Sequence, residues 1–507
     1  TYPEDNNSIR FDCKLTDAEL LSRVLDISLK LNRGVEFSGQ LDGANRKLSV
    51  RGNAADIVWD GTRYEASTLL CEVRDSIMNC HVRTGQYSTD GSIMNIAATA
   101  SAHADSVKTS VNWGNNTVST YSGKLEMDAL LSHLTVGDEA SLHADISINP
   151  TQVFLNDTVW NIRAAKVVID SRKVCIDNFV FEHGSQYVNV NGVIGNHAAD
   201  TCLLRLNQMN LSYFLDMVKF DDVMFKGEVS GRVMLKNVKG DMDMQARLDI
   251  EDFYTNGGLM GHTVIDARWD KEAQGISFTA DMQESEDNYT KIIGYMSPKR
   301  SELDLKIYPH GIQMALLDYF TEGSVSDISG RVTGYVHLFG GLKSLDFEGG
   351  VITDNVKMKI DDINTSFVIP HDSVTLSAGR FNFPHIQVTD AEGNSGVLDG
   401  YISHRHLKKI GLHLKVDSRN MLFYDEREAG NNTFYGRLYG TGNMSLESTG
   451  NGIDIVGDKR EPIDGVFVKN VRIGKTERFL THVENAKNVD FRNVTGGDVG
   501  KVTTPWD

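Results

Sequence analysis

Residues 241–251 read DMDMQARLDIE. Met242, Met244, Ala246, Leu248 and Ile250 are apolar, and the intervening positions are charged or polar. Successive side chains on a strand point to opposite faces, so this segment has one dry side and one wet side. The same period of two returns along the whole chain, in SLHADISIN (141–149), YVNVNGVIG (187–195), LDLKI (303–307), NVKMKIDDI (355–363) and GLHLKV (411–416). Gly, Asn and Asp turn signals separate these runs, and only 8 prolines interrupt the ladders. Helical pattern is confined to short pieces, TDAELLSRVL (16–25), LSYFLDMV (211–218) and IQMALLDYF (312–320). The chain is therefore expected to be all-β with a few short helices.

A longer repeat lies over this alternation. The pattern [FI]-x-G-x-[VL]-x-G occurs as FSGQLDG (37–43), FKGEVSG (225–231), ISGRVTG (328–334) and FYGRLYG (434–440). Gly227, Gly330 and Gly436 stand 103 and then 106 residues apart, a unit much longer than that of ordinary solenoids. Glycine on a strand permits a bend or a close backbone approach, so a structural role is expected for these positions. The runs look long, and no Pro/Ser/Gly linker divides more than 400 residues of them. An elongated, curved, mostly antiparallel sheet folded over into a groove fits this better than a string of compact sandwiches.

Charge narrows the partners. There are 51 basic and 69 acidic residues, a net charge of −18, with the acids spread out. Phosphate-backbone binding needs a basic stripe, so nucleic acid is excluded as an expected partner. The longest apolar runs are only a few residues, far from the ~20 that span a bilayer as a helix. No Met and no signal-like segment precede Thr1, so a targeting segment is expected upstream.

Chemistry of the catalytic kind is not visible. The chain has no H-E-x-x-H, no G-x-S-x-G elbow, no phosphate loop and no dinucleotide fingerprint, so no enzyme activity and no cofactor are expected. His404 and His406 in SHRH share a strand face but fall short of three or four ligands; a solvated face is expected there, not a metal site. The acidic run QESEDN (283–288) reads as a solubilising loop. Of the five cysteines, Cys71 and Cys80 lie in LLCEVRDSIMNCHV, where a hairpin turning at 74–77 would pair Val73 with Met78 and set the two sulfurs opposite each other. A disulfide and simple burial are both open for that pair, burial being the commoner fate.

The apolar stripes remain as the candidate site. Their expected members are Val229, Val233, Leu235, Met242, Met244, Leu248, Ile250, Leu303, Leu305, Ile307, Val356, Met358, Ile360, Leu412, Leu414 and Val416. A greasy lining gains about 0.8 kcal/mol per acyl CH₂ moved out of water, and the methionines suit variable contacts.

The order of INPTQVFLNDTVWNI (148–162), VNVNGVIG (188–195), DGYISHRHLKKIGLHLKVDSRNML (399–422) and YGRLYGTGNMSL (435–446) resembles the TamB family of AsmA-like envelope proteins, in the form found in Bacteroidota-type bacteria. The likeness covers roughly residues 1–452, with an N-terminal groove segment at 1–140 and the repeating groove at 141–452. It implies a periplasmic protein held to the inner membrane by an N-terminal anchor that this chain lacks. It further implies a β-groove that moves phospholipid between the membranes, or alternatively a scaffold for outer-membrane protein assembly. The implied partners are phospholipid acyl chains and an outer-membrane barrel of the Omp85 type. Residues 453–507 differ: EPIDGVFVKNVRIGKTERFLTHVENAKNVDFRNVTGG (461–497) resembles the closing parallel β-helix coils of polygalacturonase-type glycoside hydrolases, without their catalytic aspartates.

Overall fold

The structure, a computed structural model, describes residues 8–19, 22–23, 28–87, 92–115, 117, 120–136, 139–170, 172–212, 224–320, 325–341, 344–405, 408–426, 436–448, 453–457, 463–469, 472–473, 481–492 and 495–496. It is nearly all β. Thirty-three strands are hydrogen-bonded into one sheet, in which neighbours along the chain pair antiparallel, and a short parallel pairing of Ile453–Gly457 with Thr481–Glu484 closes the series. Ile463–Lys469 pairs in parallel with Ala486–Arg492, as coils of a β-helix do. Among the described residues no helix is long and apolar enough to cross a membrane.

Of the three expected helical pieces, only 312–320 lies wholly inside the described residues; of 16–25, residues 16–19 and 22–23 are described, with Glu19, Ser22 and Arg23 helical and the Ser22 N–H donating to the Ala18 carbonyl at 2.8 Å, while 211–218 lies largely outside them. The 312–320 piece is not an α-helix. Ile312–Gln313 is strand and Met314–Phe320 is a single 3-10 segment. Seven residues give too few hydrogen bonds to offset helix nucleation, and no acidic first turn or basic last turn supports the ends.

The chain forms two compact units, Thr1–Met209 with Ser230–Met244, and Asn210–Val229 with Gln245–Asp507. In the first, the hairpin at 74–77 pairs Val73 with Met78, and Asp75 and Ser76 take positive φ of 50° and 67°. Cys71 faces Cys80 across it, and the two are joined as a disulfide.

The strands are not regular throughout. Ala66, Asn178, Asp252, Asp327, Asn355, His385 and Asn420 all have φ between 46° and 57°, and every one lies at a register shift. Each shift inserts a residue, so the inward phase changes by one. On Ser344–Ile360 the inward side chains are Phe347, Gly349, Val351 and Thr353 before Asn355, then Val356, Met358 and Ile360 after it. A bulge bends its strand and increases local twist, which is what a curved sheet requires. Two of the repeat glycines sit against these bulges. A Cβ on Gly330, whose φ is 90°, would lie 2.3 Å from the Asn355 carbonyl oxygen. One on Gly227 would meet Ile250 and the Asp252 carbonyl. At Gly227 and Gly330, 103 residues apart, the repeat thus sets a glycine on a bulge.

Beyond the bulges the second unit closes into a core of Ile369, Val374, Phe383, Ile386, Val388 and Met421, with Ile386 fully buried. Asp390 is buried at its edge. Its carboxylate accepts from the Leu422 N–H at 2.6 Å, from the Glu392 N–H, and twice from Asn394. Although burial opposes ionisation, these donors hold the carboxyl below the ordinary aspartate range.

Candidate functional site: one-sided apolar rows

Directly paired residues of antiparallel strands share a face, so the register turns scattered alternation into rows. In the first unit Phe37, Gly52, Leu69, Val82, Ala98, Val111 and Leu125 form one such row across seven strands. A second runs Leu48, Val73, Met78, Ala102, Val107, Ala129, Ile146. The disulfide lies between them, on the same face. The opposite face carries Ser49, Glu72, Asn79, Ser101, Lys108 and Asp128 in register.

Burial distinguishes this face from an ordinary core. Among the described residues between Val35 and Val153, no apolar side chain is buried, and Val82 and Met78 are 38% and 36% exposed. A sheet packed on a second layer would bury most of one face. This one leaves its dry side partly in water, in a contiguous band rather than as isolated residues.

In the second unit the register aligns Leu248, Ile265, Ala280, Ile292, Ile307, Val336, Gly349, Leu376, Phe381, Ile402 and Leu412. Ten steps at ~4.8 Å give a row of roughly 48 Å along the strand-to-strand direction. Of the expected lining, Leu248 and Ile307 share this row, and the backbone of Leu412 pairs with Ile402 at its end. Leu305 lies in the adjacent one with Ala246, Ala267, Phe278, Gly294, Leu338 and Phe347. Leu303 pairs with Met296 and Gly340 on the same face. Leu414 and Val416 pair with Gly400 and Leu398 beside the closed core.

Other expected members are placed differently. Val229, Ile250 and Val356 are only 2–3% exposed, enclosed by protein and not presented to a guest. Met358 packs on the closed core, and Ile360 pairs with Thr365 beyond the bulge. Met242, Met244, Val233 and Leu235 are half-buried and belong to the first unit. The rows of the first unit were not expected from sequence. Their alternation is diluted by alanine, threonine and cysteine, and only the register assembles them.

Two polar expectations are corrected. His404 is buried, not solvated, because pairing brings it between the rings of Phe347 and Phe381, with centroids 4.8 and 5.2 Å away; His406 lies outside the described residues. Within QESEDN, Glu284 is not a free solubilising charge. It makes a bidentate pair with Arg331 at 2.7 Å for each contact and accepts from Gln313. Those hydrogen bonds, led by Arg331, hold its carboxyl below the usual glutamate range. The pair fastens the turn after Gly275–Gln283 to the glycine-bulge strand Val325–Gly341.

On the outward face of the second unit, His337 is bridged by Asp304 at 3.0 Å and Glu348 at 3.1 Å. Partial burial pulls its pKa down, yet the two carboxylates outweigh burial and raise it.

No protein-family model matches the chain, and no curated protein or solved structure is significantly similar to it.

Proposed function

We propose that this chain carries phospholipid acyl chains along the one-sided apolar rows of its first unit, as part of a periplasmic protein that bridges the inner and outer membranes. One observation carries the reading: an apolar face more than a hundred residues long on which no described side chain is fully buried. Contiguous exposed apolar surface of this kind marks a ligand or partner site. Acyl chains suit it because their gain, about 0.8 kcal/mol per CH₂, depends on area and not on placed donors. The rows supply area and almost no polar anchor. The likeness in sequence order to the TamB family supports the envelope setting. Val82→Arg sets a charge in the first row at a position already open to water, so folding survives. Labelled phospholipid uptake should fall several-fold in this variant with an unchanged circular-dichroism spectrum; unchanged uptake in a Val82→Arg/Met78→Arg double variant, both positions being open to water on the same face, would refute the reading.

A second reading has its own support. The strand Ser8–Leu15 pairs, among the described residues, only with Val35–Asp42, and Ile9 and Phe11 are 53% and 40% exposed on it. An apolar strand edge of this kind can accept another strand, as a scaffold for a barrel partner of the Omp85 type would. Crosslinks from Ile9 to a barrel protein, with lipid uptake intact, would favour it.

A further inference from the structure

On the outward face of the second unit, a bulge gathers metal-ligating side chains. Between the pairs Ile250↔Thr263 and Phe253↔Gly261, one strand contributes Glu251 and Asp252 and the other only His262. Asp252 has φ 46°. A regular ladder would set Glu251 alone opposite His262. Two residues against one re-aim the backbone there, as bulges beside functional sites do. Asp249, two residues earlier, shares the face. The ligand atoms of Asp249, Glu251 and His262 all lie within 4.8 Å of one another, and the His262 Nε2 to Asp249 Oδ1 distance is 3.0 Å. Although the chain holds 69 acidic residues and 15 histidines, this is the only such grouping among the described residues. Gln283 is paired directly to His262 on the next strand, a further oxygen donor on the same face.

We propose that Asp249, Glu251 and His262 form a divalent-metal site. An imidazole with two carboxylates suits Zn²⁺ and its borderline neighbour Co²⁺, whereas Ca²⁺ and Mg²⁺ prefer all-oxygen cages. Three protein ligands leave at least one position open to water or an external donor. Placed on paired strands, the ligands need little reordering to meet an ion. The site lies on the face opposite Leu248 and Ile250, so it is independent of the apolar rows and of the function proposed for them.

The test uses the whole chain stripped with EDTA and titrated with Zn²⁺ alone by calorimetry, with Co²⁺ absorption as a second readout. One saturable equivalent is expected. His262→Gln and Asp249→Asn, both at non-buried positions, should each weaken it at least about tenfold. His385→Gln, which removes an exposed imidazole 3.9 Å from Asp399, should leave it unchanged. Absence of a one-to-one site, or equal affinity in His262→Gln, overturns the proposal.

Discussion

Adding bulk to the row of the first unit separates an open face from a sealed one. Ala98 sits between Val82 and Val111 in register, half-buried, on the face where nothing described is enclosed. Ala280 sits between Ile265 and Ile292 in the row of the second unit and is 1% exposed. Both receive the same change, Ala→Leu, which adds three carbons. In a filled interior extra methylenes force rotamers and backbone aside, at about 1–3 kcal/mol. On an open face the added side chain leans over its neighbours, and surface substitutions stay within about 0.5 kcal/mol. The account therefore expects Ala280→Leu to lose about 1–3 kcal/mol and Ala98→Leu to lose almost nothing. Urea unfolding read by tryptophan fluorescence measures both, and a thermal scan gives about 2–4 °C per kcal/mol for units of this size. Equal losses at the two positions would mean that a second layer covers Ala98, and the transport reading would go with it.

Three further outcomes follow from the polar framework. Arg331→Met strands Glu284, 15% exposed at its side chain, and should cost about 1–3 kcal/mol, most of it recovered by adding Glu284→Gln. Because the folded pKa of Glu284 is depressed, the difference between wild type and Arg331→Met should be full above the unfolded glutamate value of about 4.3 and fade as pH falls through the folded one. His337 has the opposite sign: its pKa is raised, so its contribution is full below about 6.5 and is lost as pH rises through the folded value. His337→Gln should then destabilise more at pH 5.5 than at pH 8.5 in parallel urea titrations. Asn355→Val forces a β-branched residue into φ 50° and should cost about 1–2 kcal/mol, while Asn355→Gly stays near neutral.

Much of this architecture was legible before any coordinates. Alternation from 141–149 to 411–416 announced the strands, and the 74–77 hairpin announced that Cys71 meets Cys80. Gly227 and Gly330 have the structural place expected of them, but their partner was hidden. The bulge residues Asp252 and Asn355 look like ordinary polar positions in a strand, and only register shows that each one shifts the inward phase. That phase change is why the apolar positions of 355–363 pack against Ile369 and Phe367 while those of 303–307 line a row. His404 and Glu284 were misread because their partners are distant in sequence: Phe347 and Phe381 for one, Arg331 for the other. Local polarity carries no trace of such partners. The rows of the first unit were missed for a related reason, since alanine and threonine dilute a hydrophobic pattern without roughening a face.

Native mass spectrometry of the chain, purified without detergent stripping, reads directly whether acyl chains occupy the open face. The account predicts a population heavier than the bare chain by whole phospholipid masses, released on collisional activation and restored when delipidated protein is returned to phospholipid vesicles. A bare mass throughout, with no lipid regained after incubation, would contradict it.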